Sequence, residues 1–272
     1  MGHWFAEQGI AALAYDKRGV GESTADFRSV PFTDLADDGL AAISFLQHRA
    51  DVDAKRIGVW GLSQGGWLGP LAASRSKDVA FVVAVSGPGV SPGEQMIFYY
   101  ASQLRTRGIP EQQIEEASEL RRQVWHYLST GEGYQRASNA LEQARSQPWF
   151  AAVKEQPDGL FKRPASAILH DKTLRSRLWF ATEMNYDPRI ALRKLVVPAL
   201  FLFGERDELV PVPKSVEVIR QTLAEIGNRD FTIKIFPGAG HTIQLDPSGN
   251  GRSFAPGYLE TMRQWLQTRL DQ

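Results

Sequence analysis

The sequence predicts a doubly wound, mostly parallel α/β sheet that carries a helical insertion. Three observations predict it. Short apolar runs, continuous rather than alternating, end in glycine-bearing turns, as strands do when a parallel sheet buries both their faces. Amphipathic segments of helical period lie between these runs. One long stretch, from about Pro88 to Ile190, has no buried-strand pattern. The 272 residues are 43% hydrophobic, enough for a sizeable core in one large α/β domain or two small ones.

The elements follow in order. Ile10 to Tyr15 is an apolar run that ends in Asp16-Lys17-Arg18-Gly19-Val20-Gly21. Phe32 to His48 places Leu35, Leu40, Ile43 and Leu46 near helical spacing. Arg56 to Trp60 is a strand entering Gly61-Leu62-Ser63, and Gly66 to Arg75 is the helix after it. Ala80 to Val85 is a strand ending in Ser86-Gly87-Pro88. Ala199 to Phe203 and Phe231 to Phe236 are further strands, followed by Gly204-Glu205-Arg206-Asp207 and Pro237-Gly238-Ala239-Gly240. Val216 to Ile226 and Tyr258 to Leu270 read as amphipathic helices. Alternation of this kind makes a doubly wound sheet.

The insertion holds helical segments such as Glu111 to Leu128 and many aromatics, among them Tyr99, Tyr100, Trp125, Trp149, Phe161, Trp179 and Phe180. The expected organisation is a core of residues 1–87 and 191–272 with a helical cap over 88–190. A cap at the carboxyl edge of the sheet roofs the place where open α/β folds bind ligands. Most of these aromatics are expected simply to pack the insertion's own helices together, since burial alone explains large side chains.

Composition removes several function classes. Thirty-one Lys and Arg balance 31 Asp and Glu, which argues against a nucleic-acid binder that relies on a broad basic face. The absence of cysteine excludes disulfides, thiolate metal sites, iron–sulfur clusters and a cysteine nucleophile. The longest strong apolar run, Val79 to Val85, is strand-sized, so no membrane span is expected. The first residues show no basic stretch followed by an apolar one, and no leader is expected there. Cytoplasm is the preferred compartment, with the periplasm open should a segment precede Met1. The Asp16–Gly21 turn is not a phosphate loop, lacking G-x-x-x-x-G-K-[ST]. Its Gly19 and Gly21 are expected to shape a tight turn, and Asp16 and Arg18 to pair with other loops. No metal and no cofactor is expected.

Chemistry concentrates in Gly61-Leu62-Ser63-Gln64-Gly65, a G-x-S-x-G between strand and helix. A sharp turn there lifts a serine hydroxyl above the sheet, next to a helix N-terminus that favours developing negative charge. A serine hydroxyl needs a base, and the base an orienting acid. Asp207 and His241 follow later strands, in the chain order this arrangement requires, and both lie in loops at the same sheet edge. Glu205 and Glu208 compete with Asp207, but Asp207 sits just before Leu209-Val210-Pro211, which leads the chain away. Of the other histidines, His3, His48, His126 and His170, His48 ends a predicted surface helix and His126 and His170 belong to the insertion, where His170 stays open as a pocket-lining residue; His241 has the loop placement a base requires. The catalytic set is therefore Ser63, Asp207 and His241, with the backbone N–H of Gln64 as one oxyanion donor.

These residues resemble the α/β-hydrolase superfamily. More narrowly, they resemble bacterial serine esterases and acyl hydrolases that carry a Tyr-Asp-Lys-Arg-Gly-x-Gly-x-Ser segment, here Tyr15 to Ser23. Gly204 to Pro211, Pro237 to His241 and Phe254 to Glu260 belong to the same likeness. The resemblance implies ester hydrolysis of a small-molecule substrate through an acyl-enzyme. It also implies that His3 to Gln8 is a helix, preceded in the family by additional strands and a His-Gly loop that supply a second oxyanion donor and a strand between Ile10–Tyr15 and Arg56–Trp60. Three readings accommodate their absence. The sequence starts late, which is preferred; the two flanking strands pair directly; or a second copy donates a strand in a homodimer. Two rivals to the esterase are an aminopeptidase-like or acyl-thioester hydrolase with the same triad, and a non-catalytic remnant that binds a ligand or partner through the cap.

Overall fold

The computed structural model describes residues 1–171, 174, 183–245 and 253–270. The chain divides into two compact units. One comprises Met1–Phe27, Pro31–Val90 and Asp187–Gln272, the other Arg28–Val30 and Ser91–Tyr186.

The first unit is built on four parallel strands: β1 (Val59–Leu62), β2 (Val82–Val85), β3 (Ala199–Gly204) and β4 (Phe231–Phe236), in the order β1-β2-β3-β4. Val59 pairs with Val82, Val82 with Ala199, and Ala199 with Phe231, so all four strands end at one edge. The two central strands are buried along their whole length, which explains why their sequences are continuously apolar. β4, at the edge, alternates half-buried and exposed positions from Phe231 to Lys234 and fully buries only Phe236.

The pleat divides the core in two. Val83, Val85, Leu200 and Leu202 face one side, where they pack with Phe5 of α1 (Gly2–Glu7) and with Tyr258, Met262 and Leu266 near the C-terminus. Val82, Ala84, Ala199, Phe201 and Phe203 face the other, with Ile43 of α2 (Phe32–Gln47) and with Ile219 and Leu223. Three further helices, α3 (Gly65–Arg75), α9 (Pro188–Leu192) and α10 (Val212–Glu225), and a last one, α11 (Tyr258–Leu270), complete this unit.

The second unit is helical among its described residues. It contains α4 (Pro92–Thr106), α5 (Glu111–Thr130), α6 (Tyr134–Ala144), α7 (Phe150–Lys154) and α8 (Ala165–Leu169). Ser91 and Glu94 form a reciprocal capping box at the start of α4. α5 buries Ile114, Ala117, Leu120, Arg121, Val124 and Leu128, a stripe of helical period, and stops at Gly131 in the left-handed conformation. The aromatics Tyr100, Trp125, Trp149 and Phe161 pack in this unit's own core. Trp179 and Phe180 lie outside the described residues. No helix among the described residues is long and apolar enough to cross a membrane.

One element departs from expectation. Ile10 to Tyr15 forms no strand, and Leu13 and Tyr15 are 42% and 52% exposed. Its apolar residues suit a buried strand, but a strand exists only where a neighbour takes its N–H and C=O groups. The sheet ends at β1 among the described residues, so Ile10–Tyr15 does not pair with it directly. Arg18 pairs with a helix and not with another loop, meeting both carboxylate oxygens of Asp38 in α2 at 2.6 and 2.7 Å, while the Asp16 carboxylate accepts the Glu22 N–H of its own turn at 3.3 Å.

Candidate active site

Ser63 occupies the turn between β1 and α3. Its φ is +55°, a left-handed conformation that costs a serine about 1–3 kcal/mol. The turn is held from both sides. Ser63 N–H donates to the Val85 carbonyl at 2.8 Å, and the Ser63 carbonyl accepts from Gly66 N–H at 2.8 Å. Gly61 is required for the closeness of the turn, because a Cβ there would lie 2.7 Å from the Gly65 backbone. Gln64 caps α3. Among the described residues its backbone N–H has no backbone acceptor.

Asp207 lies just beyond β3 with its side chain wholly buried. Oδ1 accepts the backbone N–H groups of Leu209 at 2.8 Å and Val210 at 3.0 Å. That fixes the carboxylate and turns Oδ2 toward His241, whose Nδ1 lies 2.8 Å away. A carboxylate only accepts, so Nδ1 carries the proton and Nε2 the lone pair. The imidazole is 15% exposed. The rival acids are placed elsewhere: Glu205 accepts the Gly238 N–H at 2.9 Å, and Glu208 is exposed. Among the rival histidines, His48 bonds the Ser44 carbonyl and His170 the Tyr134 hydroxyl.

The structure thus joins Asp207 to His241 directly. Ser63 Oγ takes part in neither of the His241 hydrogen bonds among the described residues, which run to Asp207 and from Ser86. Ser63 and His241 are instead related through the end of β2. Ser63 is bonded to Val85, and the next residue, Ser86, donates its hydroxyl to the His241 carbonyl at 2.7 Å. Catalytic hydrogen bonds are commonly long in the absence of substrate and tighten when it binds.

Two contacts went unread in the sequence. Ser86 looked like a turn residue after a strand, and Glu205 like a spare acid. Neither carries a motif, because each acts on a backbone atom distant in the chain. Beside Ser63 lies a cavity of about 370 Å³ lined by Tyr15, Lys17, Leu35, Asp38, Gln64 and Leu68. Lys17 donates to the Gln64 side chain at 2.9 Å and lies 3.7 Å over the Phe27 ring. Partial burial holds its ammonium below the usual lysine range. Among the described residues no group of three or more His, Asp or Glu is arranged to hold a metal ion.

A family model described as "Serine aminopeptidase, S33" matches residues 1–248. The chain belongs to this family. It is an α/β-hydrolase, and solved structures share its fold. Alpha/beta hydrolase GrgF from Penicillium sp. sh18 superposes with a TM-score of 0.62 at 19% identity, over 100% of this chain and 84% of that one. An esterase from Pyrococcus furiosus does so with a TM-score of 0.55 at 19% identity, over 98% and 72%. At such identities the likeness shows fold alone. Among relatives by sequence, Esterase EstD of Thermotoga maritima is 26% identical over 261 residues, 96% of this chain and 52% of that protein. Polyketide transferase claH of Penicillium crustosum is 36% identical over 93 residues, 34% of this chain and 30% of that protein. This α/β-hydrolase chain therefore spans less than two thirds of the length of these curated relatives.

Proposed function

We propose that this chain is a serine hydrolase of carboxylic esters that works through an acyl-enzyme on Ser63. One observation carries the reading: the buried Asp207 carboxylate, held by two backbone N–H groups, engages the imidazole of His241 at 2.8 Å. That contact leaves Nε2 as the atom able to take a proton from a serine hydroxyl. Ser63, strained upward at the mouth of a helix, supplies the hydroxyl.

The reaction then runs in two halves. Ser63 Oγ attacks the ester carbonyl as its proton passes to His241 Nε2, and Asp207 stabilises the imidazolium without taking the proton. The carbonyl oxygen gains negative charge next to the Gln64 N–H and the N-terminus of α3, where one such donor is worth about 2.7–4 kcal/mol. His241 returns the proton to the departing alcohol. Water, activated by the same nitrogen, repeats the sequence and releases the acid. The small-molecule ester is the only reactant besides water.

A second reading keeps these residues and changes the bond. The family description names an aminopeptidase, and a thiohydrolase, apmlB of Arthrinium phaeospermum, is 38% identical over 86 residues, 30% of this chain and 27% of that protein. Reading residues 88–190 as a cap that selects the acyl group belongs to the same proposal.

A fluorophosphonate probe tests the whole. Labelling that vanishes in Ser63→Ala is the expected result. A well-folded wild type that takes no label is a remnant, and the hydrolase reading falls. Rates on p-nitrophenyl esters, acyl thioesters and aminoacyl anilides then separate the bonds, with esters expected to be fastest.

A further inference from the structure

We infer that Ser86 is the positioning residue of the general base. The inference rests on the reading of Ser63, Asp207 and His241 given above. The chain reaches His241 from β4, three strands away from the strand that delivers Ser63. Neighbouring strands lie about 4.8 Å apart, so the ends of β1 and β4 are separated by roughly 14 Å. The imidazole has to be brought back across the sheet to lie between nucleophile and acid. The Ser86 hydroxyl, at the end of β2, holds the His241 carbonyl at 2.7 Å. Across the edge the order becomes Ser63 over β1, His241 tied to β2, and Asp207 over β3. That is the order proton transfer requires.

Three further observations single out Ser86. It is wholly buried, so its hydroxyl has no water to turn to. It holds φ at +48°, a left-handed conformation in which glycine rests without strain. Among the described residues, no backbone N–H reaches the His241 carbonyl, which leaves Ser86 as its donor. The support is also rigid. Gly87 packs so closely on the helix after Ser63 that a Cβ on Gly66 would lie 2.1 Å from Gly87 Cα. Ser86 is therefore anchored to the nucleophile's own turn, and its hydroxyl transmits that position to the base.

The test separates position from stability. Ser86→Ala loses the hydroxyl and keeps the strain, whereas Ser86→Gly loses both. Both variants should label fully with a fluorophosphonate but with a rate constant lower by about 10- to 100-fold, the scale of a misplacement near 1 Å. On p-nitrophenyl acetate, kcat should fall by the same factor with KM within about twofold. Ser86→Gly should melt no lower than Ser86→Ala yet react as slowly, an opposition that a purely structural role does not produce. Ser63-dependent labelling at the wild-type rate in either variant, or a loss of labelling amplitude in place of rate, overturns this inference alone. Wild-type labelling that survives Ser63→Ala, or is absent, overturns the hydrolase reading and takes this one with it.

Discussion

At the scale of the residue, Asp207 shows how one carboxylate is chosen among three neighbours. Its chemistry is that of Glu205 and Glu208; its place is not. The N–H groups of Leu209 and Val210 lock one oxygen and leave the other for His241. Asp207→Asn keeps the shape but presents an amide to the imidazole, which favours the wrong tautomer. Turnover should fall by about 10⁴-fold with little change in melting temperature. Near-normal turnover would put the orienting acid elsewhere. Glu205→Ala should behave differently, because its carboxylate holds the backbone of the loop before His241 and never meets the ring.

At the scale of the element, α5 carries a charge into an apolar core. Arg121 is 2% exposed, bonded to Asp158 and to Gln156, and stacked 3.7 Å from the Tyr100 ring. Burial pulls its guanidinium below the usual arginine range, and the Asp158 charge opposes that pull. Removing one member of such a pair strands the other. Asp158→Ala should destabilise the fold by about 3–5 kcal/mol in urea unfolding, whereas breaking the exposed Arg105–Glu111 pair with Glu111→Ala should leave the unfolding midpoint almost unchanged. Equal losses in the two variants would mean that the buried pair is not what orders this unit. Ile10–Tyr15 teaches the converse lesson at the same scale. Its residues have the composition of a strand, yet no ladder forms around it.

At the scale of the whole molecule, each unit carries a deeply buried phenol. Burial pushes both Tyr258 and Tyr100 above the ordinary tyrosine value of 10.0, with the Asp158 charge adding to the shift of Tyr100. The unfolded chain releases these protons near pH 10 while the folded chain keeps them. Their contribution to stability is therefore complete below about pH 10 and is lost as pH rises further. Melting temperature should begin to drop near pH 10 and fall more steeply above it, and Tyr258→Phe should flatten that drop. An identical slope in the variant would show that the phenol ionises without unfolding.

The sequence by itself determined the parallel order of strand and helix, the serine turn, and the acid and histidine to be tried with it. It could do so because each rests on local spacing: continuous apolar runs, G-x-S-x-G between strand and helix, loops following later strands. Tertiary structure decided which apolar run becomes a strand, because a ladder needs a neighbour that no local pattern supplies. It also decided that Glu205 holds the backbone at Gly238, and that a serine 155 residues from His241 holds that histidine's backbone. Such contacts run from a side chain to a backbone carbonyl or amide. Since every residue offers those same groups, nothing in the order of letters announces which one will be used.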